Sequence, residues 1–156
     1  MLDEKQMQLD TQQKERLGLA ILKSALIADN IEIATPERDN GIDLIIYKWG
    51  RDSGFKSAPV QMKSASDKSF SIDKGYELIP NLFMAYVWNI LRPSDAVIYF
   101  MSYQHSVQIG NEMGWTNTKS WTEDGEYSTT APSKKLIELM ERHRVANGFS
   151  DKICLV

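Results

Sequence analysis

The octet Asp95–Ser102 reads DAVIYFMS, a near-continuous apolar run. A strand of this composition is buried on both faces, so its sheet must be covered on both sides by other elements. The segments around it alternate in kind. Lys5–Ala28 is expected to be a helix, because Leu19, Leu22 and Leu26 recur at helical spacing and Asp29-Asn30 supplies a stop. Ile31–Ala34 is a short β-like run, and Thr35–Gly41 is rich in turn formers. Ile42–Trp49 is dense in β-branched and aromatic residues. Ala58–Ala65 alternates Val60 and Met62 with Gln61 and Lys63, which predicts a second strand after the turn Gly50–Gly54. Ser66–Gly75 reads as a polar loop, Pro80–Leu91 as a helix with Pro80 in its first turn, and His105–Met113 as a weak helix. Asp124-Gly125 marks a hairpin turn within Trp115–Thr130, Pro132–Val145 is a helix, and Phe149–Val156 is expected to add an edge strand. Mixed order of this kind predicts an α/β layered domain.

Length and composition narrow the function classes. With 156 residues the default is one domain spanning 1–156. The single Cys154 forms no intramolecular bridge, and no cysteine cluster is available for zinc. The start lacks an apolar signal-peptide core, and the most apolar stretch, Leu78–Leu91, is too short for a bilayer and is interrupted by Pro80 and Asn81. The expectation is a soluble, cytoplasmic protein without a membrane partner. His105 and His143 are the only histidines and lack a nucleophile-elbow partner, so a Ser/His/Asp triad is not supported. The four tryptophans suit core or interface positions.

Four residues carry the chemistry. Alternation along Ile42–Tyr47 puts Asp43 on the face opposite Leu44 and Ile46, an acid entering an apolar strand that needs a partner there. Gln61 and Lys63 share one face of the following strand. If the two strands pair through Trp49–Ser57, Asp43 lies beside them. Glu15 falls at i−4 from Leu19 and i−7 from Leu22, so it continues the first helix's apolar stripe and is expected to point toward the sheet. Two carboxylates and an amide oxygen suit magnesium, with manganese as a substitute. A nearby lysine would orient water or stabilise charge on a phosphate. The implied chemistry is metal-assisted phosphodiester hydrolysis. Each residue also has a plainer reading: Asp43 as a strand-start cap, Lys63 as an edge-strand lysine, Gln61 as a surface polar residue and Glu15 as a helix-surface acid.

Asn40-Gly-Ile-Asp-Leu44 followed by Val60-Gln-Met-Lys-Ser64, with Glu15 on the preceding helix, resembles the core motif of the PD-(D/E)XK, or restriction-endonuclease-like, nucleases. The resemblance covers residues of about 10–102. It implies a core of helix, three strands, helix and strand, with a mixed central sheet flanked by helices. It also implies Asp43 as a metal ligand, Lys63 as the catalytic lysine and Glu15 as a further metal-site acid. Gln61 stands where the family usually carries Asp or Glu, and Ile42 where it has Pro. The function so implied is a magnesium-dependent DNA endonuclease acting as a homodimer. The alternative is a catalytically inactive nuclease-fold module that binds DNA or protein.

Net charge is −3, from 18 basic and 21 acidic residues, which limits nonspecific DNA affinity. Between Lys48 and Lys74, however, six basic residues face three acids, a local balance of +3. Arg51, Lys56, Lys68 and Lys74 are the expected phosphate contacts.

Overall fold

A computed structural model of the chain describes residues 8–156. Lys5–Met7 of the expected first helix lie outside the described residues. Helix α1, Thr11–Ala28, opens at Asp10 with a capping box: the Asp10 carboxylate accepts the Gln13 N–H at 2.8 Å, and the Gln13 side chain accepts the Asp10 N–H at 2.9 Å. β1 (Glu32–Ala34), β2 (Leu44–Gly50), β3 (Gly54–Ser64), β4 (Phe70–Asp73), β5 (Phe83–Trp88), β6 (Val97–Ser102), α2 (Tyr103–Glu112), β7 (Glu126–Thr129) and α3 (Lys134–Glu141) follow. Five strands form one mixed sheet in the order β1-β2-β3-β5-β6, with β3 and β5 parallel and the other neighbours antiparallel. β4 and β7 make a separate antiparallel pair. Among the described residues no helix is long and apolar enough to cross a membrane.

The sheet has a hydrophobic core on each face. On one, Leu22 and Leu26 of α1 pack on Leu44, Ile46, Val60, Ala85, Val87 and Phe100. On the other, Met84, Tyr86, Trp88 and Tyr99 meet Phe70 and Ile72 of β4 with Ile109, Leu136 and Met140 of α2 and α3. The second layer is tied down by three polar tips of buried aromatic side chains. Trp88 Nε1 donates to Ser69 O at 2.7 Å, Tyr86 Oη to Ser71 O at 2.8 Å and Tyr103 Oη to Asp73 O at 2.9 Å. The acceptors recur at every second residue, as carbonyls on one side of a strand do.

Several expectations are corrected. Pro80–Leu91 is not a helix: its centre is β5, six residues all buried between β3 and β6. A fully buried strand shows no alternation, so its apolar run is indistinguishable by period from a buried helix. The strand is bounded by Asn81 and Asn89, both left-handed with φ of 56° and 59°, a conformation asparagine tolerates. The order helix, three strands, helix, strand is therefore not the one found; β4 and a 3₁₀ turn at Lys74–Tyr76 occupy the connection from β3 to β5. Ser66–Gly75 is not all loop, because Phe70 and Ile72 alternate inward to make β4. Gly125, at φ 77°, ends a π-helical turn over Ser120–Asp124 instead of turning a local hairpin; β7 beyond it pairs with β4.

Nor does Phe149–Val156 form an edge strand. Phe149 is buried against Phe100, and its N–H donates to Asp29 Oδ2 at 2.7 Å. The edge of β6 is instead covered by the residues after α3, where Phe100 N donates to His143 O and Val145 N to Ile98 O, both at 2.9 Å. This places the His143 ring 5.1 Å from that of His105. Burial, then His105, Lys152 and Arg142, lower the His143 imidazole to about 4. The unfolded chain takes up that proton near 6.5, so stability present above 6.5 is lost as the pH falls from 6.5 toward 4. His143→Gln is expected to flatten the melting-temperature profile across that window relative to wild type; parallel profiles would contradict it.

Candidate metal centre

The centre lies where β2 begins. β2 begins at Leu44, opposite Val60, so β3 runs on from Gln61 to Ser64 with no β2 residue beside it. Asp43 fills the start of that notch. Its N–H donates to Val60 O at 2.9 Å, and its Oδ2 accepts the Met62 N–H at 2.7 Å, so a carboxylate takes the place of the next backbone carbonyl in the ladder. The strand-cap role is thus real, and it holds the carboxylate in one orientation with Oδ1 left for another partner.

Helix α1 brings Glu15. The helix lies close to β3 because Gly18 has no side chain: a Cβ there would sit 2.6 Å from the Ser64 Cβ. The buried stripe is Gly18, Leu22 and Leu26, and it stops at Gly18. Glu15, one turn earlier, is exposed instead of facing the core, yet its carboxylate reaches the notch. The loop before β2 brings Asp39, which sequence reasoning missed. Asp39 Oδ1 accepts the Gly41 N–H at 3.2 Å, with Gly41 at φ 79°, and this turn folds Asp39 back toward Asp43. The signal was Asp39-Asn-Gly41 itself, an Asx-turn sequence four residues before Asp43.

Oxygens of Glu15, Asp39 and Asp43 all lie within 4.8 Å of one another. The Asp43 carboxyl is pushed above the usual carboxylate range, chiefly by burial; the Met62 N–H opposes this, Asp39 and Glu15 add to it, and Lys63 opposes it most weakly. Lys63 therefore acts on Asp43 through space. Its ammonium lies 5.3 Å from the Tyr76 ring centroid, and no ion pair joins it to Asp43 among the described residues. Gln61, between them in sequence, is only 8 % exposed. Its amide nitrogen donates to Met62 O at 3.3 Å, and its Oε1 is buried with no hydrogen-bond partner.

These donors fit a hard divalent cation. Three converging carboxylates repel one another until a cation is shared. Gln61 alternates with Val60 and Met62, which pack under α1, so its side chain leaves β3 on the opposite face, beside Met84. The expected basic contacts do not form one patch. Arg51 and Lys56 sit on the β2–β3 hairpin, Lys68 lies beyond the opposite end of β3 at roughly 25 Å or more by strand rise, and the Lys74 ammonium lies 5.1 Å from the Trp121 ring centroid. No family model matches the chain, and neither a curated protein nor a solved structure matches it.

Proposed function

We propose that this chain is a magnesium-dependent endonuclease that hydrolyses phosphodiester bonds in DNA, a divergent relative of the PD-(D/E)XK nucleases that works as a homodimer. The observation that carries the reading is the convergence of Glu15, Asp39 and Asp43 at the β2 notch, within Coulombic reach of Lys63. Glu15, Asp39 and Asp43 would hold the cation. When bound, the ion supplies Lewis-acid stabilisation of a scissile phosphate and an activated water. The protein's own contributions are positional. The Met62 N–H fixes the Asp43 carboxylate, and the Tyr76 ring steadies the Lys63 ammonium, whose charge complements that developing on the phosphate.

Lys63→Ala is expected to lower the magnesium-dependent plasmid cleavage rate on the order of 10²- to 10³-fold, the loss typical of removing one preorganised charge donor. Magnesium or manganese affinity by calorimetry should stay unchanged, since Lys63 is not a ligand. An equally active Lys63→Ala variant would sink the assignment. A second reading, a nuclease-fold binding module without activity, draws on the uncharged Gln61 at the second motif position; absent metal binding together with absent cleavage would select it.

A further inference from the structure

A cavity of about 380 Å³ opens at the β6 edge of the sheet. It lies where four segments meet. Phe83 begins β5, and Ser102, its partner in the ladder, ends β6. The first turn of α2 brings His105, the residues after α3 bring Arg142 and His143, and the tail brings Lys152. Leu44, Val60, Phe83 and Ser102 are successive partners across the sheet. The cavity therefore stands three strand spacings, roughly 14 Å, from the metal centre beside Leu44. A volume of this size suits a small organic molecule instead of a lone ion.

The lining divides into an apolar floor and a cationic rim. Phe83, Phe100 and Met101 supply the floor, with the two phenyl rings stacked at 5.1 Å. On the rim the Lys152 ammonium is locked in place. It donates to Arg142 O at 2.8 Å and to Asp151 Oδ2 at 3.1 Å, and its side chain is only 14 % exposed. Arg142 makes no ion pair among the described residues. Asp151 is the one carboxylate on the lining, so the two fixed cations leave a balance of +1 (two minus one). His105 and His143 face each other in the same cavity. Burial, then His105, Lys152 and Arg142, keep the His143 imidazole from taking a proton. Positive charge thus converges on one ring from three segments, and an anion seated there relieves the repulsion.

We infer that this cavity binds a phosphate monoester with a small aromatic or apolar body, a molecule of nucleoside monophosphate size. The phosphate sits among Arg142, Lys152, His105 and His143, and the body lies over the Phe83 floor. A phosphate monoester presents three terminal oxygens around a tetrahedron, which suits donors arriving from three segments. Its second ionisation lies near 6, close to that of an imidazole, so ligand and site can share a proton. A metal ion fits poorly. It would meet two fixed cations, and the two histidines belong to no group of three converging ligands among the described residues. The inference uses none of Glu15, Asp39, Asp43 or Lys63, so it stands apart from the nuclease reading.

The chain's two histidines and its one cysteine all line this cavity, which makes the test direct. Thymidine monophosphate is titrated into the full chain at a pH of about 6.5, the ordinary imidazole midpoint, with the histidine signals followed by NMR. EDTA keeps any metal-held nucleotide out of the measurement. Both histidine signals are expected to move to saturation. The His143 midpoint should rise, because the bound anion outweighs His105, Arg142 and Lys152, with Asp151 the one acid already present. Cys154, exposed at the cavity wall, should react more slowly with iodoacetamide when the nucleotide is bound. Arg142→Gln should weaken binding on the order of tenfold, the loss of one charge-assisted hydrogen bond. Its melting temperature should hold, since the Arg142 side chain is exposed and its backbone oxygen still accepts Lys152. Thymidine without the phosphate should give no response, and inorganic phosphate a weaker one. Stationary histidine signals, an unprotected Cys154 or wild-type affinity in Arg142→Gln would each overturn the inference. So would thymidine or inorganic phosphate binding as tightly as the nucleotide.

Discussion

Asp43→Asn is expected to lose magnesium-dependent cleavage by on the order of 10²-fold or more while its melting temperature at pH 7 equals or exceeds that of wild type. The asparagine oxygen still accepts the Met62 N–H, so the strand cap survives. The charge that Asp39 and Glu15 oppose is gone. The sign follows from the raised carboxyl. A proton held more tightly in the folded state means that stability present below the ordinary carboxylate range, near 4, is lost as the pH rises through the folded value. The advantage of Asn over Asp should therefore be largest at neutral pH and vanish on acidification. Magnesium should raise the wild-type melting temperature by preferential binding to the folded state and leave the variant unmoved. A residue conserving only structure would behave in the opposite way, with lost activity tracking lost stability.

Gly18→Val is expected to be the most damaging single change near the centre, at about 3 kcal/mol of stability, the upper end of overpacking costs. Even a bare Cβ would stand 2.6 Å from the Ser64 Cβ, which cannot move without its strand, and 3.4 Å from the Met62 methyl carbon, which can. Valine and glycine differ little in helix propensity compared with this clash. The helix must lift, and Glu15, one turn away, leaves Asp39 and Asp43. Metal affinity should fall together with thermal stability, a coupling that Asp43→Asn does not show. Gly18→Ala should cost less than Gly18→Val, and adding Ser64→Gly, which removes the opposing Cβ, should recover most of the Gly18→Ala loss. A Gly18→Val variant with wild-type stability would mean that α1 does not seat as described.

The frame of the centre was legible because its parts lie on elements with clear local signals. The Leu22–Leu26 stripe locates α1 and alternation locates β3, but the stripe points Glu15 toward the core, whereas Glu15 is exposed and only its carboxylate reaches Asp39 and Asp43. Asp39 was not legible, since its approach depends on a turn closed by Gly41, a tertiary fact encoded in one glycine and one side-chain bond. β5 was misread because burial on both faces erases the alternation that distinguishes a strand, and only Asn81 and Asn89 marked its ends. Trp49 is expected, with the other tryptophans, at a core or interface position, because pattern alone does not show how far a ribbon extends beyond its neighbours. The separation of Lys68 from Arg51 and Lys56 has the same origin: a sequence cluster becomes a surface cluster only if the strand between its members does not carry them apart.

Cleavage of supercoiled plasmid by the wild-type chain, with magnesium and with EDTA, beside Asp43→Asn and Lys63→Ala, is the most direct measurement of the central claim. The expected result is nicking or linearisation only with the metal, lost in both variants while circular dichroism and melting show each folded. Cleavage that persists in EDTA, or that Asp43→Asn retains at the wild-type rate, would contradict a metal-dependent nuclease centred on Glu15, Asp39, Asp43 and Lys63.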